Sequence, residues 1–376
     1  ENIDLGKRLI SEGKVGCLIV AGGQGTRLRF NGPKGMFPVT VIKEKSLFQL
    51  FAEKVLAAGN QANRLLPLAV MTSPQNHEQT IHLFKEHQYF GLSEGQVRFF
   101  CQEMLPLLDH DGKMFLDTPW HIAMGPNGNG SSLRHFVDSG IWEEWYQQGV
   151  RYLNYVLIDN PLADPFDAEL FGYQHKQGAD VVVKCTPRRD SQEKVGILIK
   201  HEDKVKVIEY SELPEEERTG TLEDGSLKHV CANLSLFSFS MDFVKTAAKT
   251  QIPLHVAHKA VKTLTAEGST IQAKEPNAWK FEEFIFDILP LALKVKALLY
   301  PREECFAPLK NAEGDASLST VHAALQARDR QQFQKISEAE PPDRPFELSQ
   351  QFYYPTPELL EKWKGMTLPK EEYIQP

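Results

Sequence analysis

Cysteine is scarce in this 376-residue sequence, and the five that occur, Cys17, Cys101, Cys185, Cys231 and Cys305, stand far apart. No C-x-x-C pair and no Cys/His cluster exists, which excludes a zinc site of ordinary spacing and a disulfide framework. Buried free thiols in a reducing, cytoplasmic compartment are the expectation. Long hydrophobic runs are also missing. The apolar stretches, such as 153–158, are strand-sized, well short of the roughly 20 residues that span a bilayer. No basic segment followed by an apolar one opens the chain, so no membrane partner is expected. The first residue is Glu1 rather than Met, which reads as a processed or late-starting chain. Excess positive charge is lacking too: 42 Lys+Arg face 50 Asp+Glu, a net charge of −8. That balance argues against a nucleic-acid coat protein. It leaves room for an anionic substrate held by a local basic cluster.

What is present is an alternation of two periods. Short apolar, β-branched runs at 15–21, 68–72, 97–101, 152–158, 179–185, 195–199, 205–210 and 234–239 read as strands. Helical patterns lie at 46–58, with Ser46 as N-cap and Gly59 as stop, and at 76–87 and 282–295. Strand–helix–strand alternation predicts an α/β fold with a largely parallel sheet flanked by helices. The close pair 195–199 and 205–210 reads as an antiparallel hairpin turning at Glu202-Asp203, so the sheet should be mixed. Apolar runs fade beyond Leu309, 337–345 reads as a loop, and 213–225 reads as a polar surface insertion.

One segment carries the chemistry. An apolar strand runs into Gly22-Gly23-Gln24-Gly25-Thr26-Arg27-Leu28, followed by Pro33-Lys34-Gly35-Met36. Glycines let backbone N–H groups approach an anion, and Arg27 and Lys34 add charge suited to a polyphosphate. The Walker pattern fails because Gly35 follows Lys34. The dinucleotide fingerprint fails because Leu28 stands where a third glycine is needed, which disfavours a dinucleotide oxidoreductase. Asp159 ends the apolar run 153–158, where open α/β sheets place ligand chemistry. Glu209 stands among apolar residues, as either the solvated face of a strand or an acceptor for hydroxyls.

The glycine segment resembles the signature of nucleotidyltransferases that make nucleotide sugars. Further segments agree in order: Tyr89-Phe90-Gly91-Leu92, Phe99 to Leu105, Pro126-Asn127-Gly128-Asn129-Gly130, Ile158-Asp159-Asn160, Val195-Gly196, Ile208-Glu209-Tyr210-Ser211-Glu212, Lys280 to Asp287, and Ala307 to Ala312. Together they are similar to the UDP-sugar pyrophosphorylase family, closest to its UDP-N-acetylhexosamine branch. The resemblance implies a Rossmann-like, GT-A-like nucleotidyltransferase fold, with a catalytic domain over 1–310 and a small C-terminal appendage over 311–376. It implies uridylyl transfer from UTP to a sugar 1-phosphate, N-acetylglucosamine 1-phosphate foremost, giving a UDP-sugar and pyrophosphate with Mg²⁺. A glucose-1-phosphate enzyme, a broad-range enzyme and a catalytically silent nucleotide-sugar-binding module are the alternatives. A monomer or weak homo-oligomer with no nucleic-acid partner is expected.

The resemblance also implies roles. Gly22, Gly23, Gly25 and Thr26 would line the nucleotide, Gln102 the uracil edge, and Gly128 and Asn129 the nucleoside or sugar. Arg27 would neutralise the β- and γ-phosphates, Lys34 the α-phosphate and Lys310 the sugar phosphate, with Asp159 as metal ligand. Gly196, Glu209, Asn233, Lys280, Phe284 and Phe286 would read the sugar, the two aromatics being alternatively a helix core face. The chain departs from the pattern at Asn127, where the family usually carries Asp, at Glu103, where Gly is common, and around Asn233, where the usual Asn-rich run is degenerate.

Overall fold

The computed structural model describes residues 1–376. Nine strands make one mixed sheet: β1 (Val15–Val20), β2 (Leu68–Thr72), β3 (Val97–Cys101), β4 (Tyr152–Leu157), β5 (Val181–Pro187), β6 (Ile197–His201), β7 (Lys204–Ile208), β8 (Cys231–Ser240) and β9 (Val295–Leu299). The order is β7-β6-β8-β4-β1-β2-β3, with β5 also paired to β8 and β9 to β5. Strands β4, β1, β2 and β3 are parallel, and β8 runs against β4, β5 and β6. The chain leaves β1 toward β2 on one side, while β4 lies on the other. The carboxyl ends of β1 and β4 therefore form a switch point, where open sheets bind ligands.

Strands β1 and β2 are apolar on both faces because both faces are covered. On one face sits the helix α1 (Leu47–Ala62), burying Leu47, Phe48, Leu50, Phe51 and Val55. On the other, Phe136, Trp142 and Trp145 pack with Phe237 and Phe239. Each such side chain contributes about 1.5–3 kcal/mol of burial.

The expected hairpin is present, with Glu202 and Asp203 both left-handed at φ 48° and 62°, as a tight hairpin turn requires. Ser46 caps α1 as expected, its hydroxyl accepting from the Gln49 N–H. Gly59 is not the stop: the helix continues to Ala62 and ends at left-handed Asn63. Gly59 lies inside because a Cβ there would meet the Arg64 carbonyl. The helix expected over 282–295 does not form. Glu282 ends a strand (Ala278–Glu282), a 3-10 turn covers Ile285–Leu291 around Pro290, and β9 follows. Pro290 lacks the N–H an α-helix needs there.

Beyond the sheet, the 20-residue helix Leu318–Ser337 anchors a small cluster of Phe333, Phe346, Phe352, Leu359 and Trp363. At the other end, the helix Asn2–Ser11 crosses Ala168–Gln177 through Gly6 and Gly172. A Cβ on Gly6 would fall on the Ala168 carbonyl, and one on Gly172 on the Asn2 carbonyl. Helical glycine normally gains about 1 kcal/mol on becoming alanine. Here Gly172→Ala should instead lose roughly 1–3 kcal/mol in urea unfolding, the range for overpacking. A gain in stability would refute this close crossing.

Candidate active site

The glycine loop leaves β1 at Ala21, whose N–H still donates to the Met71 carbonyl. It then folds back on itself: Gly25 N–H donates to Gly32 O at 2.9 Å and Lys34 N–H to Gly23 O at 3.1 Å. Asn76, at the head of the helix His77–Glu86, donates its amide to Ala21 O at 3.0 Å and Gly23 O at 3.2 Å. The Gly22 and Gly23 N–H groups donate to no backbone carbonyl, so they remain available to an anion. Gln102, at the end of β3, lies directly over Gly22, where a Cβ would come within 2.5 Å of its Nε2. Thr26 and Arg27 are exposed, and Lys34 is half-buried.

Asp159 follows β4, and one backbone bond together with the Asn160 side-chain amide brings Lys310 beside it. Leu309 N–H donates to Asp159 O at 2.7 Å. Asn160 donates to Cys305 O at 2.8 Å and accepts from Ala307 N–H at 3.1 Å. The loop after Lys310 closes through its N–H to Ala316 O at 2.7 Å. The electrostatics register the result at Lys34. Burial lowers its pKa, Arg27 and Lys310 push it the same way, and Asp159 opposes them. Three cations and one carboxylate therefore lie within each other's field at the switch point.

The sugar-side residues converge on the same place. A cleft of about 860 Å³ is walled in part by Asp159, Gly196, Glu209, Asn233, Phe286 and Lys310. A Cβ on Gly196 would stand 3.5 Å from Glu209 Oε1 and 3.8 Å from Asn233 Cβ. The register of β8 shifts between Asn233 and Leu236, with Ser235 left-handed at φ 55°, a bulge that re-aims neighbouring side chains. Glu209 has its pKa raised, by burial first and then by Glu212, against the pull of His255 and Lys310. Phe284 and Phe286 are stacked with centroids 5.2 Å apart, and His255 lies 4.7 Å from Phe284 while hydrogen-bonded to Asp287 at 2.7 Å. They are an extended residue and a 3-10 residue, not one face of a helix.

Two expected residues sit differently. Lys280 is ion-paired with Glu282 at 2.7 Å and lines no wall of the cleft. Asn129 has its side-chain oxygen occupied by the Ile285 N–H at 3.0 Å, with Gly128 bridged to Glu283 beside it. Its side chain therefore organises the loop. Sequence reasoning assigned nothing to Asn76, Asn160 or the His255–Asp287 pair. Asn76 stands just ahead of a helical pattern and Asn160 just after Asp159, but no local signal marks their long-range partners.

A second cavity, about 480 Å³, lies between the helix Leu318–Ser337 and strands β4, β5 and β8. Its polar walls are satisfied by one another, Lys184 by Asp167 and Tyr354 by Asp164. On the cleft wall Arg189 and Arg302 pair with Glu193 at 3.4 and 2.7 Å, whereas Lys310 has no ion-pair partner within 4 Å.

The family described as UTP–glucose-1-phosphate uridylyltransferase matches residues 5–354. The chain is 37% identical to the human UDP-N-acetylhexosamine pyrophosphorylase-like protein 1, over 82% of this chain and 62% of that protein. It is 34% identical to the Saccharomyces cerevisiae UDP-N-acetylglucosamine pyrophosphorylase, over 82% of this chain and 67% of that one. It thus spans about two thirds of the length of these curated relatives. A solved structure from Entamoeba histolytica, named for a UDP-N-acetylglucosamine pyrophosphorylase, superposes with a TM-score of 0.93 at 33% identity, covering 100% of this chain and 96% of that one. The inhibitor-bound Trypanosoma brucei UDP-N-acetylglucosamine pyrophosphorylase superposes at 0.81 with 28% identity, covering 90% and 70%. With the ordered motifs gathered at one switch point and a family match that runs through nearly the whole chain, this protein belongs to the UDP-sugar pyrophosphorylase family.

Proposed function

We propose that the chain is a cytoplasmic uridylyltransferase, acting as a monomer or weak homo-oligomer, that makes UDP-N-acetylglucosamine and pyrophosphate from UTP and N-acetylglucosamine 1-phosphate. The observation that carries this reading is the meeting of Arg27, Lys34 and Lys310 with Asp159 beside two free glycine amides. Two polyanions repel each other, and their joining needs cations held in place beforehand. A phosphate oxygen of the sugar 1-phosphate attacks the α-phosphorus in line. The new P–O bond forms as the α–β bridging bond breaks, and pyrophosphate leaves with the electron pair. No covalent enzyme intermediate is needed.

Gly22, Gly23, Gly25 and Thr26 cradle the nucleotide, with Gln102 on the uracil edge. Arg27 holds the leaving β- and γ-phosphates, Lys34 the α-phosphate, and Lys310 the incoming sugar phosphate. Gly128 and Asn129 shape the nucleoside wall. Gly196, Glu209 and Asn233 take sugar hydroxyls, and Phe284 and Phe286 offer an apolar face to an N-acetyl group. Lys280, ion-paired with Glu282, is left out of the sugar-phosphate clamp.

No group of three or more His, Cys, Asp or Glu is arranged so that it could hold a metal ion, so a cation caged by protein alone does not fit. A hard cation bound chiefly through substrate phosphates does fit, because it needs only one or two carboxylates and Asp159 supplies one. Mg²⁺ is the cation we propose. When bound, it neutralises phosphate charge alongside the three side chains.

Three results test the reading. Wild type should release pyrophosphate from UTP with N-acetylglucosamine 1-phosphate, in a panel that also holds the glucose, galactose and N-acetylgalactosamine analogues. Preference for glucose 1-phosphate would favour the activity named by the family description, and UTP binding with no turnover would make the chain a silent binding module. Arg27→Ala and Lys310→Ala should each lower kcat/KM by roughly 10²-fold or more, as loss of a transition-state charge partner does. A smaller loss removes that residue from the reacting set.

The third result concerns pH. The raised pKa of Glu209 means that it takes up a proton at a higher pH than an ordinary glutamate. Its protonated form loses acceptor capacity, so KM for the sugar phosphate should climb on the acid side. Glu209→Gln should raise KM throughout and abolish that acid limb. An unchanged limb would show that another group titrates.

A further inference from the structure

The loop Pro126 to Gly130 is tied to its neighbours by a cluster of charges that the reaction itself does not use. Asn127 is 1% exposed. Its amide nitrogen donates to Glu103 Oε1 and Glu283 Oε2, both at 2.8 Å. Arg134 donates to the same two oxygens, at 2.8 and 3.1 Å. The oxygen of Asn127 is buried without a partner. The opposite amide orientation would set that oxygen against two carboxylates, so the arrangement has one workable sense. The side chain's whole polar role is to give two N–H bonds to two acids.

Glu283 is 5% exposed, a carboxylate that burial makes costly unless it is paired and hydrogen-bonded. Glu103 is partly exposed, and its other near neighbour is His135, 3.7 Å away. Burial lowers the His135 pKa, Arg134 adds to that, and Glu103, Asp138 and Glu283 oppose it. With His135 neutral, two carboxylates face one guanidinium. The second carboxylate is tolerated because the residue between them is an amide.

The three segments joined here are the ones that carry ligand contacts in the proposed function. Glu103 follows Gln102. Asn127 precedes Gly128 and Asn129. Glu283 precedes Phe284. The backbone follows the side chains: Asn127 N–H reaches Glu103 O at 3.3 Å, Glu283 N–H reaches Asn127 O at 2.8 Å, and Gly130 N–H reaches Glu283 O at 2.9 Å. Gly128, left-handed at φ 76°, packs so closely that a Cβ would come within 2.5 Å of Glu283 O.

We propose that Asn127 is a positioning residue, the neutral link of a Glu103–Asn127–Arg134–Glu283 clamp that fixes the nucleoside loop against the uracil strand and the sugar loop. The clamp makes the chain's departures at 103 and 127 a single feature: an acid at 103 requires an uncharged donor at 127. An aspartate at 127 would place three carboxylates around one guanidinium. They relieve the repulsion by taking up a proton or by parting, and parting moves Gly128 and Asn129. The proposal rests on the uridylyltransferase reading, since it assigns these loops to UTP.

UTP binding by calorimetry tests it on the full chain, with wild-type turnover as a separate control for the parent reading. Asn127→Asp should weaken UTP binding at least 10-fold at about pH 8 and recover to within about 3-fold of wild type near pH 6, where the crowded carboxyl set gains its proton. The double variant Asn127→Asp/Glu283→Gln exchanges the buried amide and the buried acid, and keeps the same count of charges. It should bind within about 3-fold of wild type at both pH values. Wild-type-like binding by Asn127→Asp at the higher pH overturns the clamp. So does a loss that is equal at both pH values and persists in the double variant. Should the single variant fail to fold, the exchange decides alone: a folded, binding double variant supports the clamp, and one that fails to fold or to bind overturns it.

Discussion

Like charges held together in the absence of ligand are the constraint on which the cleft depends. Arg27, Lys34 and Lys310 repel one another, and a single carboxylate, Asp159, faces them. Side chains alone cannot hold such a set, because a flexible lysine moves away from another cation at little cost. Backbone bonds and the Asn160 side-chain amide therefore do the holding. Lys34 is fixed by its N–H to Gly23. Lys310 is fixed by the bonds that Asp159 and Asn160 make to the chain just before it. Burial is the main cause of the lowered Lys34 pKa, with Arg27 and Lys310 adding to it and Asp159 opposing. Bound phosphates would offset the repulsion among the cations, so the cleft is preorganised for them.

The sheet explains why this convergence occurs between β1 and β4. Parallel strands deliver all their carboxyl ends to one edge, and the reversal of strand order there leaves a crevice uncovered by helices. The glycine loop and Asp159 are the first residues past the two strands that flank this crevice. The antiparallel strand β8 adds the sugar wall from the other direction, and its bulge at Asn233 lets one strand serve both the core and the cleft. Core and site are thus built from the same strands: Phe237 and Phe239 sit buried a few residues from Asn233.

Much of this was legible in the sequence. Strands β1 and β2 were readable because burial on both faces demands unbroken apolar runs with clear polar ends. The glycine loop was readable because close backbone approach to an anion restricts the residue type. The segment 282–295 misled because Phe284, Ile285, Phe286, Ile288 and Leu289 mimic a helix stripe, while Pro290 and the strand pairing to 255–259 prevent one. Gly59 misled because a buried glycine required by the Arg64 carbonyl looks the same in sequence as a helix stop. Lys280 carried no local sign of its partner Glu282. The cluster of Glu103, Asn127, Arg134 and Glu283 was invisible as a unit, since its members come from distant segments and each is unremarkable alone.

The acidic balance of the chain now has a physical reading. A net charge of −8 repels anions at long range, yet salt screens exposed charges beyond about 8–10 Å. Within that distance Lys34 feels Arg27, Lys310 and Asp159, and the cleft wall adds Arg189, Lys194 and Arg302 with Asp190, Glu193 and Glu303. Recognition of phosphate is consequently a short-range matter, decided by a few fixed cations and amides rather than by the overall field. The same logic separates the two acids nearest the substrate. Asp159 is the carboxylate that acts on Lys34 among the cations. Glu209, buried beside Glu212, is pushed toward its neutral form and is restrained from it only by His255 and Lys310. Lys310 thereby bears on both halves of the site, since it acts on Lys34 and on Glu209. Its removal should disturb sugar recognition and phosphate recognition together.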